Sequence, residues 1–452
     1  AYEISLGLVG SEMCIRDKGE VQHVNLNRTI RRAYNAGKKA MPLTREALAA
    51  MQRATRAAGD TGYPFNDELL PMQWHLINRG NLFGEKSIVD ADVQCEEAWK
   101  SSTGDKSIIV AVLDEGVMVE HPDLKNNMWV NEGEVYRSKQ DNDGNGYKGD
   151  VYGYNFVFDT GVISWDDVSD TGHGTHVAGV IAAQNNNGIG ISSIAGGNAD
   201  IPGVKIMSCQ IFSGNDATSG AITTSAEAIK YAADNGAAII QCSFGSKAGA
   251  YTSDSAYERG SGVQYNAIKY FIESQNCDAV GGGVVIFAAG NDATAMSGYP
   301  GAYHDYISVT SFSPDYLPAY YTNYGPGCNI SAPGGDYKIS ADAAKTYAEV
   351  LSTVPSELSE YNGADYGFMQ GTSMACPHVS GVAALGLSYA LEKGKKFTLD
   401  EFKTMILTSV NDMETYLDGS KTGLVLADYR KKMGTGSIDA YQLLMQVEGT
   451  PC

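Results

Sequence analysis

Four polar side chains in this sequence sit at places where their chemistry can be used. Asp114 follows the apolar run Ser107–Leu113 and opens Asp114-Glu-Gly-Val117. His173 lies in Asp170-Thr-Gly-His-Gly-Thr-His-Val-Ala-Gly179. Asn291 follows Val-Val-Ile-Phe-Ala-Ala-Gly, and Ser373 lies in Gly371-Thr-Ser-Met-Ala-Cys-Pro-His-Val-Ser-Gly381. A serine hydroxyl attacks a carbonyl only when a neighbouring base takes its proton. An imidazole titrates near neutrality and suits that base. A carboxylate fixes the imidazole tautomer and stabilises the imidazolium. An asparagine amide, with the serine's own backbone N–H at a helix start, offers two donors to a developing oxyanion. Acyl transfer is the chemistry that uses all four.

Placing these groups requires strands and helices in alternation. Ser107–Leu113, Val204–Phe212, Ala237–Phe244, Val284–Ala289 and Ile307–Phe312 are short apolar runs, read as buried strands. Between and after them, helices are predicted over His176–Gln184, Ala221–Asn235, Ala267–Ser274, Thr372–Glu392 and Asp400–Val410. A Thr398-x-x-Glu401 capping box precedes the last. Continuous apolar strands separated by helices imply an α/β fold with a mostly parallel sheet covered on both faces. Ligands in such folds bind at the carboxyl ends of the strands. Asp114 and Asn291 fall at such ends.

The chain has 452 residues, 43% of them hydrophobic, so it can bury a sizeable core. Its 33 Lys and Arg against 53 Asp and Glu give a net charge of −20. That balance argues against nucleic acid and anionic membrane surfaces as partners. Unbroken apolar runs such as 284–290 are far below the roughly 18 residues of a membrane helix, so no membrane span is expected. Eight scattered cysteines, several inside apolar runs, read as buried free thiols. Among the histidines, His176 is expected to cap or pack, and His75 has no partner pattern.

The order Asp114, His173, Asn291, Ser373, with His-Gly-Thr-His-Val-Ala-Gly and Gly-Thr-Ser-Met-Ala intact, resembles the subtilisin-like serine proteases, the subtilases. The resemblance runs from about Asn66 to Tyr441. It implies a three-layer α/β fold and a secreted or cell-envelope serine endopeptidase acting on polypeptides without a catalytic cofactor. It also implies a substrate strand lying against Ser243, Phe244 and Gly245, with Ala288, Ala289 and Gly290 across the specificity pocket. Asp123 and Asn187 match positions of a structural Ca²⁺ site of the family. Separately, Asp141, Asp143 and Asn145 alternate like the start of an oxygen-rich Ca²⁺ loop, although the spacing then departs from it; an acidic Asn-Gly turn fits equally. Two residues depart from the family pattern. Glu115 adds a carboxylate beside Asp114, expected to perturb the pH profile. Cys376 stands three residues after Ser373, where a thiol is expected to be inert packing or a point of mercurial sensitivity.

Four stretches are expected. Residues 1–17 read as an artefact without function and 18–63 as a propeptide remnant or linker, with a helix over Leu43–Ala58. Residues 64–446 read as the catalytic domain and 447–452 as a truncated tail. Precursor cleavage is expected near Tyr63, so the chain's own propeptide is one partner. Two rival readings remain: a pseudoprotease that binds peptides without cutting, and a peptide ligase that passes the acyl group to an amine.

Overall fold

The computed structural model describes residues 27–33, 41–44, 49, 62–80, 87–167, 169–214, 220–339, 347–358, 361 and 363–449. Its centre is a nine-stranded sheet. From one edge the strands are Val410–Asn411, Ser437–Ile438, Ile330–Pro333, Ile307–Phe312, Val284–Ala288, Ile239–Cys242, Ile109–Glu115, Lys205–Phe212 and Gly153–Asn155. Every neighbouring pair is parallel except the first.

The side-chain alternation of a strand explains why these runs are apolar throughout. Along Ile109–Glu115, Val110 and Val112 enter one core, which also holds residues of the helices His173–Ala182, Thr372–Glu392 and Ala440–Glu448. Ala111 and Leu113 point the other way, into a core shared with Ile222–Asp234 and Gly262–Ile272. The result is the expected subtilisin-like three-layer α/β architecture.

The elements predicted beyond residue 64 are present, most with shifted ends. The helix expected from His176 begins three residues earlier, at His173 itself. The one expected from Ala267 begins at Gly262, because Gly260-Ser-Gly262 reads as a break in a sequence pattern. Thr372–Glu392 has the predicted bounds, and the capping box of Thr398 and Glu401 is formed in both directions. The helix expected over Leu43–Ala58 lies almost wholly outside the described residues; just before it, Met41–Pro42 pairs as a strand with Gly367 and Phe368.

Thr372–Glu392 is long and apolar enough to cross a bilayer, although polar and small residues interrupt its apolar runs. Here 94% of its most apolar window is buried, so it serves as the central core helix. The cysteines follow expectation: Cys95, Cys209, Cys242, Cys277, Cys328 and Cys376 are free thiols, five of them buried.

His75, for which the sequence shows no partner pattern, is a satisfied buried histidine, and the structure supplies its partner. Its Nδ1 lies 2.8 Å from Nε2 of His378, its Nε2 lies 3.2 Å from the Leu351 carbonyl, and both rings are fully buried. His176 is buried as well, with Nε2 3.0 Å from the Val350 carbonyl. Burial holds all three imidazoles below their usual pKa, to about 3 for His176 and His378. The unfolded chain therefore binds more protons than the native one as pH falls from about 6.5 toward 3, and stability is lost across that window. Each such histidine contributes a slope of up to about 1.4 kcal/mol per pH unit. Buried carboxyls raised into the same window, Asp92 to about 8 and Asp123 to about 7, act in the opposite sense. The histidine share is therefore read as a difference: between pH 7.5 and 5 the urea midpoint of His176→Gln is expected to fall less, or rise more, than that of wild type, and identical pH dependence would refute the account.

Candidate active site

Asp114 is buried at the carboxyl end of Ile109–Glu115, where the register against the neighbouring strand shifts between residues 114 and 115. Its Oδ1 accepts from the Glu115 backbone N–H at 2.7 Å and from His173 Nδ1 at 2.6 Å. A carboxylate only accepts, so the imidazole proton sits on Nδ1 and leaves Nε2 as the basic nitrogen. His173 opens its helix without an N-cap side chain from its own segment, because Gly172 precedes it with φ 73°. Glu115 supplies the cap from the neighbouring strand. Its carboxylate accepts from the His173 N–H at 2.9 Å and the Thr171 N–H at 3.1 Å. Negative charge at a helix start is favourable. The second carboxylate is thus engaged with backbone donors at the start of the helix; the expectation that it perturbs the imidazole assigned it no such task.

Ser373 is the second residue of the core helix, and its hydroxyl donates to the Ser243 carbonyl at 3.2 Å. Pro377, four residues on, has no N–H to give the Ser373 carbonyl. Ser243 Oγ fills that role at 2.7 Å, and Gln241 Nε2 in turn donates to Ser243 Oγ at 2.7 Å. Gln241 Oε1 accepts from Ser380 Oγ at 2.6 Å and Cys376 Sγ at 3.2 Å. Burial raises the Cys376 thiol to about 12, so it is a packed, protonated group.

Asn291 is clamped by Thr372, whose N–H and Oγ1 donate to Asn291 Oδ1 at 2.9 and 2.8 Å. Its Nδ2 is thereby aimed into the cleft. Gly371, at φ 153°, leaves room there: a Cβ would stand 3.0 Å from the Ala33 carbonyl oxygen.

That oxygen belongs to a segment to which the sequence reading gave no place in the cleft. Arg31 and Arg32 pair antiparallel with Gly245 and Phe244. The Ala33 N–H donates to the Ser243 carbonyl at 2.8 Å. The Ala33 carbonyl accepts from the Ser373 N–H at 3.2 Å and from Asn291 Nδ2. Beside Ala33 lies a cavity of about 290 Å³, walled by Gly245, Ala288, Ala289, Gly290 and Gly298 among others. The expected cleft residues are thus brought together around a peptide strand of the chain itself. The paired basic residues Arg31-Arg32, in an acidic chain, were the one signal for it.

The proposed metal positions fall in two places. At the first, Asn187 Nδ2 donates to Asp123 Oδ1 at 2.7 Å. Asp67, which the sequence did not single out, stands close by and accepts from the N–H groups of Asn186 and Asn187 at 2.8 and 3.0 Å. Burial raises both carboxyls above the usual range, Asp123 to about 7 with the charge of Asp67 adding to it, while these donors act to lower them. At the second, oxygens of Glu134, Asp141 and Asp143 lie within 4.8 Å of one another. Glu134 joins the two expected aspartates, whereas Asn145 turns Oδ1 to the Tyr147 N–H at 2.8 Å and Nδ2 toward Asp150 at 3.0 Å.

A buried Asp–His pair at one strand end, and a serine at a helix start beside an asparagine amide, are residue types that a serine hydrolase uses. The sequence pattern of the Subtilase family matches residues 105–430. Thermitase of Thermoactinomyces vulgaris is 30% identical over 303 residues, covering 67% of this chain and 82% of thermitase. An extracellular basic protease of Dichelobacter nodosus is 28% identical over 377 residues, 80% of this chain and 55% of that protein. Among solved structures, a protease of Pseudoalteromonas arctica superposes with a TM-score of 0.58 at 28% identity, covering 85% of this chain and all of that one. The chain belongs to the Subtilase family, a family of serine-type endopeptidases. It spans about half the length of several curated relatives, 44–55% of them.

Ser243→Ala would strip the Ser373 carbonyl of its donor while leaving the backbone of the cleft intact. A buried unsatisfied carbonyl costs about 1–3 kcal/mol. Chemical denaturation of the variant is expected to show that loss, and a stability within about 0.5 kcal/mol of wild type would refute the account of Pro377.

Proposed function

We propose that this protein is a secreted serine endopeptidase that hydrolyses peptide bonds through an acyl-enzyme on Ser373. The observation that carries this reading is the Ala33 carbonyl, which accepts from Asn291 Nδ2 and the Ser373 N–H as a substrate carbonyl would. A peptide adds as a strand along Ser243-Phe244-Gly245, and its scissile carbonyl takes the place of the Ala33 oxygen. Ser373 Oγ turns from the Ser243 carbonyl to attack, passing its proton to His173 Nε2. Asp114, bonded to Nδ1, stabilises the imidazolium. Two donors meet the oxyanion. As the tetrahedral adduct collapses, His173 protonates the leaving amine; water then enters by the same route and frees the carboxylate.

Ser373→Ala is expected to abolish casein and peptide hydrolysis and labelling by a fluorophosphonate, and Asn291→Ala to lower kcat by about 10²–10³. Hydrolysis that survives Ser373→Ala would refute the mechanism. An intact set of side chains favours this reading over a peptide-holding pseudoprotease. Product mass spectrometry with an added amine separates hydrolysis from ligation.

Structural Ca²⁺ fits the two acidic sites. Asp67 and Asp123 are buried carboxyls that repel each other, and a hard cation with oxygen preference would relieve both. Asn187 would supply an amide oxygen on flipping its side chain, and Glu134, Asp141 and Asp143 would hold an ion at the second site. In either place the ion would brace loops and take no part in the bond cleavage. EDTA is expected to lower the Tm by several degrees, Ca²⁺ to restore it, and Asp123→Asn to remove part of that response; a Tm indifferent to EDTA and Ca²⁺ would exclude both sites.

A further inference from the structure

We propose that Glu115 makes the cleft select a basic side chain at the residue immediately before the one that gives the scissile carbonyl, and that the chain's own Ala33–Tyr34 bond is a substrate of this kind. The proposal rests on the endopeptidase reading and adds a specificity to it.

The register of the strand in the cleft fixes the subsites. Ala33 presents its carbonyl to Asn291 and Ser373, so the bond set for attack is the one between residues 33 and 34. The cavity beside its methyl group is about 290 Å³, far more than alanine fills, so that pocket does not demand a particular side chain of this substrate. One residue back, Arg32 places a guanidinium nitrogen on Glu115 Oε1. The Glu115 side chain is 1% exposed and that of Arg32 25%. The Thr171 and His173 N–H groups already bond this carboxylate, but they are neutral dipoles. A buried carboxylate is costly without an opposite charge, so an occupied cleft lacking a cation here leaves Glu115 uncompensated. Other groups around Arg32 add to the match. Thr171 Oγ1 is 3.4 Å from its Nη1, the Phe212 ring centroid is 5.8 Å from Cζ, and Asp170 feels its charge. A planar guanidinium suits such a setting better than an ammonium.

Arg31 makes a different case. It bonds Asp292 at 2.7 Å with its side chain 55% exposed. Exposed ion pairs contribute little, so the selection falls on the residue at position 32 rather than on a basic pair as such. Ile30 is 2% exposed in a cluster with Phe212, Ile222, Phe244 and Tyr251, which adds an apolar requirement two residues before Arg32. The cleft thus reads apolar, any, basic, small-to-large. In the self-cleavage, Ser373 Oγ bonds the Ala33 carbonyl carbon and the Ala33–Tyr34 C–N bond breaks. His173 moves the serine proton to the Tyr34 amine, and water then releases Ala33 as a carboxylic acid. This sets the junction thirty residues before the one expected near Tyr63.

The test uses the full chain and fluorogenic peptides spanning residues 28–36, with arginine, citrulline or alanine at the position of Arg32. The tethered segment competes equally with all three, so ratios of kcat/KM are unaffected by it. Arginine is expected to exceed its neutral isostere citrulline by about tenfold or more, and Glu115→Gln to bring that ratio near one. A wild-type ratio near one, or a ratio that survives Glu115→Gln, overturns the proposal. Should Glu115→Gln fail to fold, Arg32→Gln in the full chain is read by mass spectrometry. It is expected to slow the appearance of a Tyr34 N-terminus about tenfold, and an unchanged rate, or a cut elsewhere, counts against the assignment. If wild type cleaves no peptide and takes no fluorophosphonate, the endopeptidase reading itself falls. Fluorescence anisotropy of the arginine and citrulline peptides on Ser373→Ala protein then decides the role of Glu115 alone, equal affinities overturning it.

Discussion

A carboxylate in a dry interior needs donors, and Asp114 finds them at Oδ1 alone, which accepts from the imidazole of His173 and one backbone N–H, while Oδ2 is buried without a hydrogen-bond partner among the described residues. Much of the architecture follows from holding those two residues, 59 apart in sequence, within 2.6 Å. The strand that delivers Asp114 lies inside the sheet, flanked on both sides and covered on both faces. The helix that delivers His173 starts at the same end of the sheet. Moving either element by a fraction of an ångström would lose the bond or leave a buried charge unmet, and close packing resists such shifts.

Glu115 does two jobs with one carboxylate. Toward the protein it replaces the missing N-cap of the His173 helix. Toward the cleft it meets a cation on whatever strand lies there, at present Arg32. The positioning of the imidazole and the charge of the bound peptide are therefore linked through one side chain. An acidic residue next to Asp114 is tolerated because its charge is spent on helix donors and guanidinium rather than on the imidazole ring.

The core helix shows a similar economy. Pro377 would ordinarily weaken a helix by removing one hydrogen bond. Here the carbonyl it leaves open is that of Ser373, and Ser243, whose own carbonyl bonds the incoming strand, closes it. Ser373 and the wall that receives the peptide are thereby joined by two bonds through residue 243: the Ser243 hydroxyl donates to the Ser373 carbonyl, and the Ser243 carbonyl accepts from the Ser373 hydroxyl.

By itself the sequence determined the strand–helix alternation and the parallel α/β class, and it marked Asp114, His173, Asn291 and Ser373 as candidates, because each rests on local pattern: apolar runs of fixed length, a residue type at a strand end, a serine at a helix start. The same locality explains the misplaced helix starts: at His173 a cap supplied from a distant strand leaves no mark in the adjoining residues, and at Gly262 the stretch Gly260-Ser-Gly262 reads as a break. Only the tertiary structure decided which groups meet across long separations. It brought His75 to His378, Asp67 to Asp123, Ser243 to the carbonyl freed by Pro377, and Arg32 to Glu115. Such pairings depend on burial and on the three-dimensional path of the chain, which set the dielectric and the distance that give a contact its energy, and neither quantity is carried by the order of residues within a short window.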